Sequence, residues 1–250
     1  MSERWIILSP HFDDAALSLG GWIWQQVQRG RMVEIWTILG SQRPPGKPLT
    51  PFARQLHATW QLGDEVPRLR AAEDVASCKA LGAAWHHFDL PDCIYRTYPD
   101  SDESVVQKEE DLFSSPIPGE SYLVSTIHEL LKTHLPVEAE IAIPLSIGSH
   151  RDHVLTRMAA ERCGISLWHY ADYPYVIQEN VHPSNWIPEN AEPMNETISP
   201  SGIQAWQDSI ICHHSQLALF WKTENEMHQA IESYSRKHTW LWKFYQPLNP

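Results

Sequence analysis

A short apolar run at residues 4–8, Arg-Trp-Ile-Ile-Leu, has strand character and stops at Ser9-Pro10. The period then changes: Leu19, Trp22, Ile23 and Val27 recur at helical spacing and predict a helix over 14–29. Residues 33–39, Val-Glu-Ile-Trp-Thr-Ile-Leu, follow Gly30 and are rich in β-branched side chains, which predicts a second strand. Strand, helix, strand in that order implies a parallel pair. The alternation continues with a helix over 69–81 closed by Gly82, a strand over 84–90, a helix over 122–134, a strand over 140–144, a helix over 154–163 and a strand over 167–171. Such a chain predicts an α/β fold, a Rossmann-like three-layer sandwich with a mainly parallel sheet.

Residues 40–51 and 91–118 carry Pro and polar residues without a period, so they read as long surface loops of the kind that shape a pocket. Beyond Tyr175 the chain is rich in Pro, Asn and Glu to about residue 202. Helices over 203–221 and 225–236 follow, then a strand-like alternation through Trp240, Trp242 and Phe244. No internal repeat divides the chain. A single domain over 1–250 is expected, with a core of about 1–175 and a helical, aromatic extension of about 200–250.

Composition narrows the partners. A chain of 250 residues, 42% hydrophobic, is long enough for one full core. Its net charge of -12, with no Lys/Arg run longer than two, lacks the basic footprint for nucleic acid or an anionic membrane. The four cysteines show no C-x-x-C spacing, which argues against a thiolate metal site or a disulfide framework and favours a reducing compartment. The apolar stretch at 5–24 is interrupted by His11, Asp13 and Asp14 and has no basic leader, unlike a signal sequence. No window reaches the ~18 apolar residues of a membrane span. The expected location is the cytoplasm, and a homo-oligomer stays open.

Two polar clusters stand out against this background. The first, His11-Phe12-Asp13-Asp14, falls where strand one gives way to helix one. Ligands of open parallel sheets bind beyond the carboxyl ends of strands, so this is where chemistry is expected. Capping of the helix explains one carboxylate there, but not a second beside a histidine. The second cluster, Gly148-Ser149-His150-Arg151-Asp152-His153, follows the strand that ends at Pro144 and again opens a helix. Either cluster alone is a weak signal; at strand ends of one sheet they reinforce each other. Two imidazoles and a carboxylate suit a catalytic zinc, which keeps a position for water and lowers its pKa toward ~7. The carboxylate and imidazole left over are then free for proton transfer. Asp152 can hold the His150 ring in one orientation and favour its protonated form.

These two motifs resemble those of the LmbE/PIG-L family of zinc-dependent N-acetylglucosaminyl deacetylases. Residues 15–21, Arg70-Ala-Ala-Glu73 leading to Leu81-Gly82, and the aromatic 170–175 segment extend the resemblance over roughly the first 175 residues. It implies His11, Asp14 and His153 as metal ligands, Asp13 as general base and His150 as a second catalytic group. Zinc is the expected ion, with Fe2+ or Co2+ able to use the same donors. The expected reaction removes an N-acetyl group from an amino sugar or sugar conjugate. Phe12 and Arg151 replace prolines usual in the family, at positions that ligate nothing. Gly148 stands where some relatives carry a tyrosine that binds the oxyanion, so here zinc and His150 act alone or another residue supplies the donor.

Other features carry less. Arg70 is either a substrate contact or an i,i+3 ion pair with Glu73. Trp22, Trp36, Trp85 and Trp168 are expected in the core rather than against a sugar. The adjacent His213 and His214 point apart on a helix and suit surface or packing roles. No G-x-G-x-x-G follows strand one, so no dinucleotide is expected. The rival readings are a metal-dependent ester or phosphoester hydrolase and a non-catalytic sugar- or metal-binding module.

Overall fold

The computed structural model describes residues 3–41, 43, 46–62, 65–114 and 118–244. Strand β1 (Arg4–Ser9) shows why the sheet is central: Trp5 and Ile7 face one hydrophobic layer, Ile6 and Leu8 the other, all fully buried. A strand covered on both faces needs an apolar run rather than alternation. Helix α1 (Asp14–Gln28) returns the chain to β2 (Met32–Thr37), which pairs parallel with β1. After α2 (Pro51–Trp60) and α3 (Val66–Leu81) comes β3 (Ala84–His87), parallel to β2. Helix α4 (Ser121–His134), β4 (Glu140–Pro144), α5 (Arg151–Glu161) and β5 (Leu167–Tyr170) follow, with β4 parallel to both β1 and β5.

Strand β6 (Glu192–Asn195), helices α6 (Pro200–Ile211), α7 (His214–Phe220) and α8 (Glu224–Ser235), and β7 (Thr239–Phe244) complete a sheet of order β3-β2-β1-β4-β5-β7-β6. Strand β7 is antiparallel to both β5 and β6. Helices α1, α3, α6 and α8 pack on one another over the Trp5 face, while α4 and α5 pair over the Ile6 face. The three-layer, mainly parallel architecture is therefore as expected. Trp206 of α6 lies against Gly20 and donates its indole N–H to the Ala16 carbonyl at 2.7 Å, tying the late helices onto α1.

One helix was not expected, and three local expectations need correction. Residues 51–60 form α2: Thr50 accepts from Ala53 N–H at 3.0 Å and Pro51 sits in the first turn, where its missing N–H costs nothing. The 203–221 helix is two helices, broken at Cys212 and His213, whose φ and ψ of -86° and 56° leave the helical region. Helix α5 begins three residues earlier than the pattern suggests, so His153 lies in its first turn. Trp85 is 41% exposed on the edge strand β3, under the Lys79 ammonium, whereas Trp22, Trp36 and Trp168 are buried. Of the histidine pair, His213 is buried and His214 exposed.

Candidate active site

The strand order reverses between β2-β1 and β4-β5, so a crevice opens beyond the carboxyl ends of β1 and β4. Both polar clusters leave the sheet there. At the end of β1 the Ser9 hydroxyl donates to the His11 carbonyl at 2.6 Å and accepts from Ala15 N–H at 3.0 Å. Ser9 thus satisfies a first-turn amide of α1, and Asp13 makes no side-chain cap. Both aspartates are released from the capping role that was the plain alternative for them. Asp14 accepts from the His11 backbone N–H at 2.7 Å, folding the turn so that ring and carboxylate meet.

Helix α5 delivers the second cluster. Ser146, Gly148 and Ser149 all have positive φ, at 61°, 84° and 61°, so the loop from β4 coils tightly before His150 caps α5. Such backbone in non-glycine residues is held by its surroundings. The result places Asp14 between two imidazoles: Oδ2 is 3.2 Å from His11 Nδ1 and Oδ1 is 3.3 Å from His153 Nε2. Ligands at ~2.0–2.1 Å around a tetrahedral ion lie about 3.3 Å apart, so this donor set fits a divalent metal. His11, His150 and His153 also form a buried group able to hold an ion.

The far nitrogens of the two rings are held by carboxylates. Asp172, just past β5, accepts from His153 Nδ1 at 2.7 Å and from Ile147 N–H at 3.0 Å. Asp152 lies 3.0 Å from His11 Nε2 and also accepts from Cys93 N–H at 2.9 Å and Arg96 Nη2 at 2.6 Å. Each ring is thereby turned so that its other nitrogen faces Asp14, the side on which a metal would sit. Arg96 extends the network by donating to Glu120 at 2.7 Å. Arg151, fully buried at the position where proline was usual, lies 3.1 Å from Glu120 and donates to the Val105 carbonyl at 2.8 Å.

The role expected of Asp152 is thereby corrected: its carboxylate orients His11, not His150. What holds His150 is the Asp152 backbone N–H, which donates to Nδ1 at 3.3 Å. Burial, with His11 and His153 nearby, pushes the His150 pKa well below the ordinary histidine value, so the protonated form is disfavoured. The neutral ring keeps its N–H at Nε2. Burial lowers His11 as well, yet Asp92, Asp14 and Asp152 together hold it well above the usual value. His153, likewise opposed by burial, is raised to about 9 by Asp14 and Asp172. Burial raises Asp14, but the two imidazoles outweigh it and hold its carboxyl well below the carboxylate range.

Asp13 and Arg70 face the same space. The Arg70 guanidinium is 3.4 Å from Asp13 Oδ1 and 3.8 Å from Asp92 Oδ2, and it lies 4.9 Å above the Trp60 ring. It is buried and makes no pair with Glu73, which instead accepts from the Ser215 amide and hydroxyl at 2.9 and 2.6 Å. The i,i+3 surface pair is thus ruled out. Asp13, Asp14, His11, His150, His153, Arg70, Asp92 and Tyr175 line one cavity of about 180 Å3, together with the apolar Leu56, Leu112, Leu219 and Phe220. Sequence reasoning missed Asp92, Arg96, Glu120, Asp172 and Tyr175, which come from loops and a helix margin without periodic signal.

A sequence-family model described as GlcNAc-PI de-N-acetylase (PIG-L) matches residues 6–163. No curated protein sequence matches the chain. Among solved structures it is similar to teicoplanin deacetylase Orf2 in a zinc-inhibited form: TM-score 0.83, 23% identity, over 99% of this chain and 100% of that one. It is also similar to the A40926 pseudoaglycone deacetylase Dbv21, with TM-score 0.69 and 24% identity over 97% and 96% of the two chains. For N,N'-diacetylchitobiose deacetylase from Pyrococcus horikoshii the TM-score is 0.54, with 14% identity over 98% and 84%. At these identities the structural likeness speaks for the fold. The family match contains both polar clusters and Arg70, and stops before Asp172 and Tyr175.

Proposed function

The chain belongs to the PIG-L family of de-N-acetylases, and from that premise we propose that it is a zinc-dependent N-deacetylase releasing acetate and a free amine from an N-acetylated amino sugar or sugar conjugate. The observation that carries this reading is Asp13: a carboxylate with no capping duty, in one cavity with the His11–Asp14–His153 donor set. His11 Nδ1, Asp14 and His153 Nε2 would hold the ion; zinc suits two imidazoles and a carboxylate, and Fe2+ or Co2+ accept the same donors. When bound, such an ion polarises the amide oxygen and acidifies a water.

The chain's own residues do the rest. Asp13 takes a proton from the attacking water as the C–O bond forms, then gives it to the nitrogen as the C–N bond breaks, so one carboxylate balances both transfers. Arg70 aims Asp13 from 3.4 Å, while its stacking on Trp60 fixes the guanidinium in place. His150 presents its Nε2–H to the cavity as a neutral donor. Asp92 and Arg70 together offer an acceptor and donors to sugar hydroxyls. Asp152 and Asp172 act through the histidines by fixing their tautomers.

The test is amine release from a panel of N-acetylated sugars and conjugates with added zinc, comparing wild type with Asp13→Asn. Loss of a proton-transfer group costs about 10²–10⁴-fold. The expected result is turnover by wild type, a fall of that size in the variant, and equal metal content in both. Equal turnover removes Asp13 from the mechanism. Wild-type silence on amides with cleavage of an ester or phosphoester replaces the reading.

A further inference from the structure

Resting on the deacetylase reading, we propose that the Tyr175 hydroxyl is a catalytic hydrogen-bond donor to the acetyl oxygen as it becomes anionic. Gly148 lies in the loop that presents His150, with φ of 84°. A Cβ placed there would meet Cγ and Cδ1 of Tyr175, each at 2.7 Å. The missing side chain is thus a slot, and the Tyr175 ring fills it. The ring comes from the short 3-10 turn Tyr175–Ile177 after β5, on the opposite flank of the crevice from Asp13.

Seated in that slot, the ring stands edge-on to His153, with centroids 5.9 Å apart and planes at 86°. Phe113 braces its outer side at 6.1 Å. Tyr175 lines the cavity that holds Asp13, Asp14, His150 and Arg70. Tyr175 is half-buried, and its hydroxyl has no hydrogen-bond partner among the described residues. Burial, then the charges of Asp14, Asp172 and Asp13, push its pKa far above the ordinary tyrosine value. The group stays a neutral donor throughout the working pH range.

Attack on an amide turns a carbonyl oxygen into an anion, and a donor fixed beforehand favours that state over the substrate. Tyr175 gains and loses no proton in this role; the water proton still travels through Asp13 to the amine. The donor's ring is held against the loop that positions His150, and both residues line the cavity that holds Asp13 and Asp14.

The test is Tyr175→Phe, which keeps the ring and removes only the hydroxyl. The expected result is a fall in kcat of about 10²–10³-fold with KM, metal content and melting temperature unchanged. A methylphosphonamidate of the same amino sugar, whose tetrahedral anionic phosphorus replaces the carbonyl, should bind more weakly by a similar factor, while the product amine binds as before. A wild type that turns over alongside an equally active Tyr175→Phe overturns this inference and leaves the deacetylase reading intact. A wild type inactive on every N-acetyl sugar overturns both.

Discussion

Asp172→Asn separates the donor set from its support. The carboxylate has two engaged oxygens, Oδ1 on His153 Nδ1 at 2.7 Å and Oδ2 on the Ile147 amide at 3.0 Å. Asparagine has one acceptor for those two N–H donors. If its oxygen stays on Ile147, its NH2 opposes the imidazole N–H; if it stays on His153, the loop leading to His150 loses an anchor. Either way one buried donor is left facing another. In the first arrangement the ring is pressed to move its proton to Nε2, the atom that faces Asp14. Loss of such a carboxylate partner lowers metal affinity about 10–100-fold, which is about 1.4–2.7 kcal/mol. The assay is competition for Zn2+ against a chelator of known affinity, with the melting temperature of the metal-free protein measured beside it. A dissociation constant within twofold of wild type, in a folded variant, would refute the argument that Asp172 sets the His153 tautomer.

Two further outcomes follow from packing and buried charge. Gly20→Ala gains helix propensity of about 1 kcal/mol, but its Cβ would meet Trp206 Cδ1 and lie 2.9 Å from Nε1. Overpacking of about 1–3 kcal/mol should outweigh that gain, and a raised urea midpoint would show that Trp206 can step aside. Arg96→Met leaves Asp152 and Glu120 without the cation they share at 2.6 and 2.7 Å. Stranding a buried charge costs about 3–5 kcal/mol, so urea unfolding with a loss under about 1 kcal/mol would show the network to be dispensable.

The sequence made local features readable and left converging ones unseen. His11, Asp13 and Asp14 lie within one turn, and His150 and His153 within another, so each cluster announced itself where an apolar run stopped. Asp172 lies 19 positions from His153 and Arg96 56 positions from Asp152, their contacts set by sheet order rather than by spacing. The role given to Asp152 failed for the same reason: adjacency suggested His150, while the fold brought His11 across 141 positions. Helix α2 did carry a readable start in Thr50-Pro51, hidden because proline was taken as a loop signal. Strand β6 offers Pro193 and exposed polar residues, as a sheet margin can, and so gave no strand pattern. Nothing like Gly or Pro marks the break at Cys212 and His213.

The place of β7 in the sheet has a consequence for how the chain reaches its native state. Residues 239–244 are inserted between β5 and β6, pairing with strands that begin 72 and 47 positions earlier, at Leu167 and Glu192. During synthesis β5 therefore emerges long before the strand that covers its open side. Its Trp168 and Tyr170 backbone presents an unpaired ladder in that interval, the kind of edge that recruits other chains. The residues that flank the crevice on that side, Asp172 and Tyr175, hang from the end of the same strand. A nascent or clipped chain lacking residues 239–244 would hold every ligand and the base, yet be sticky at β5 and loose where the rings are supported.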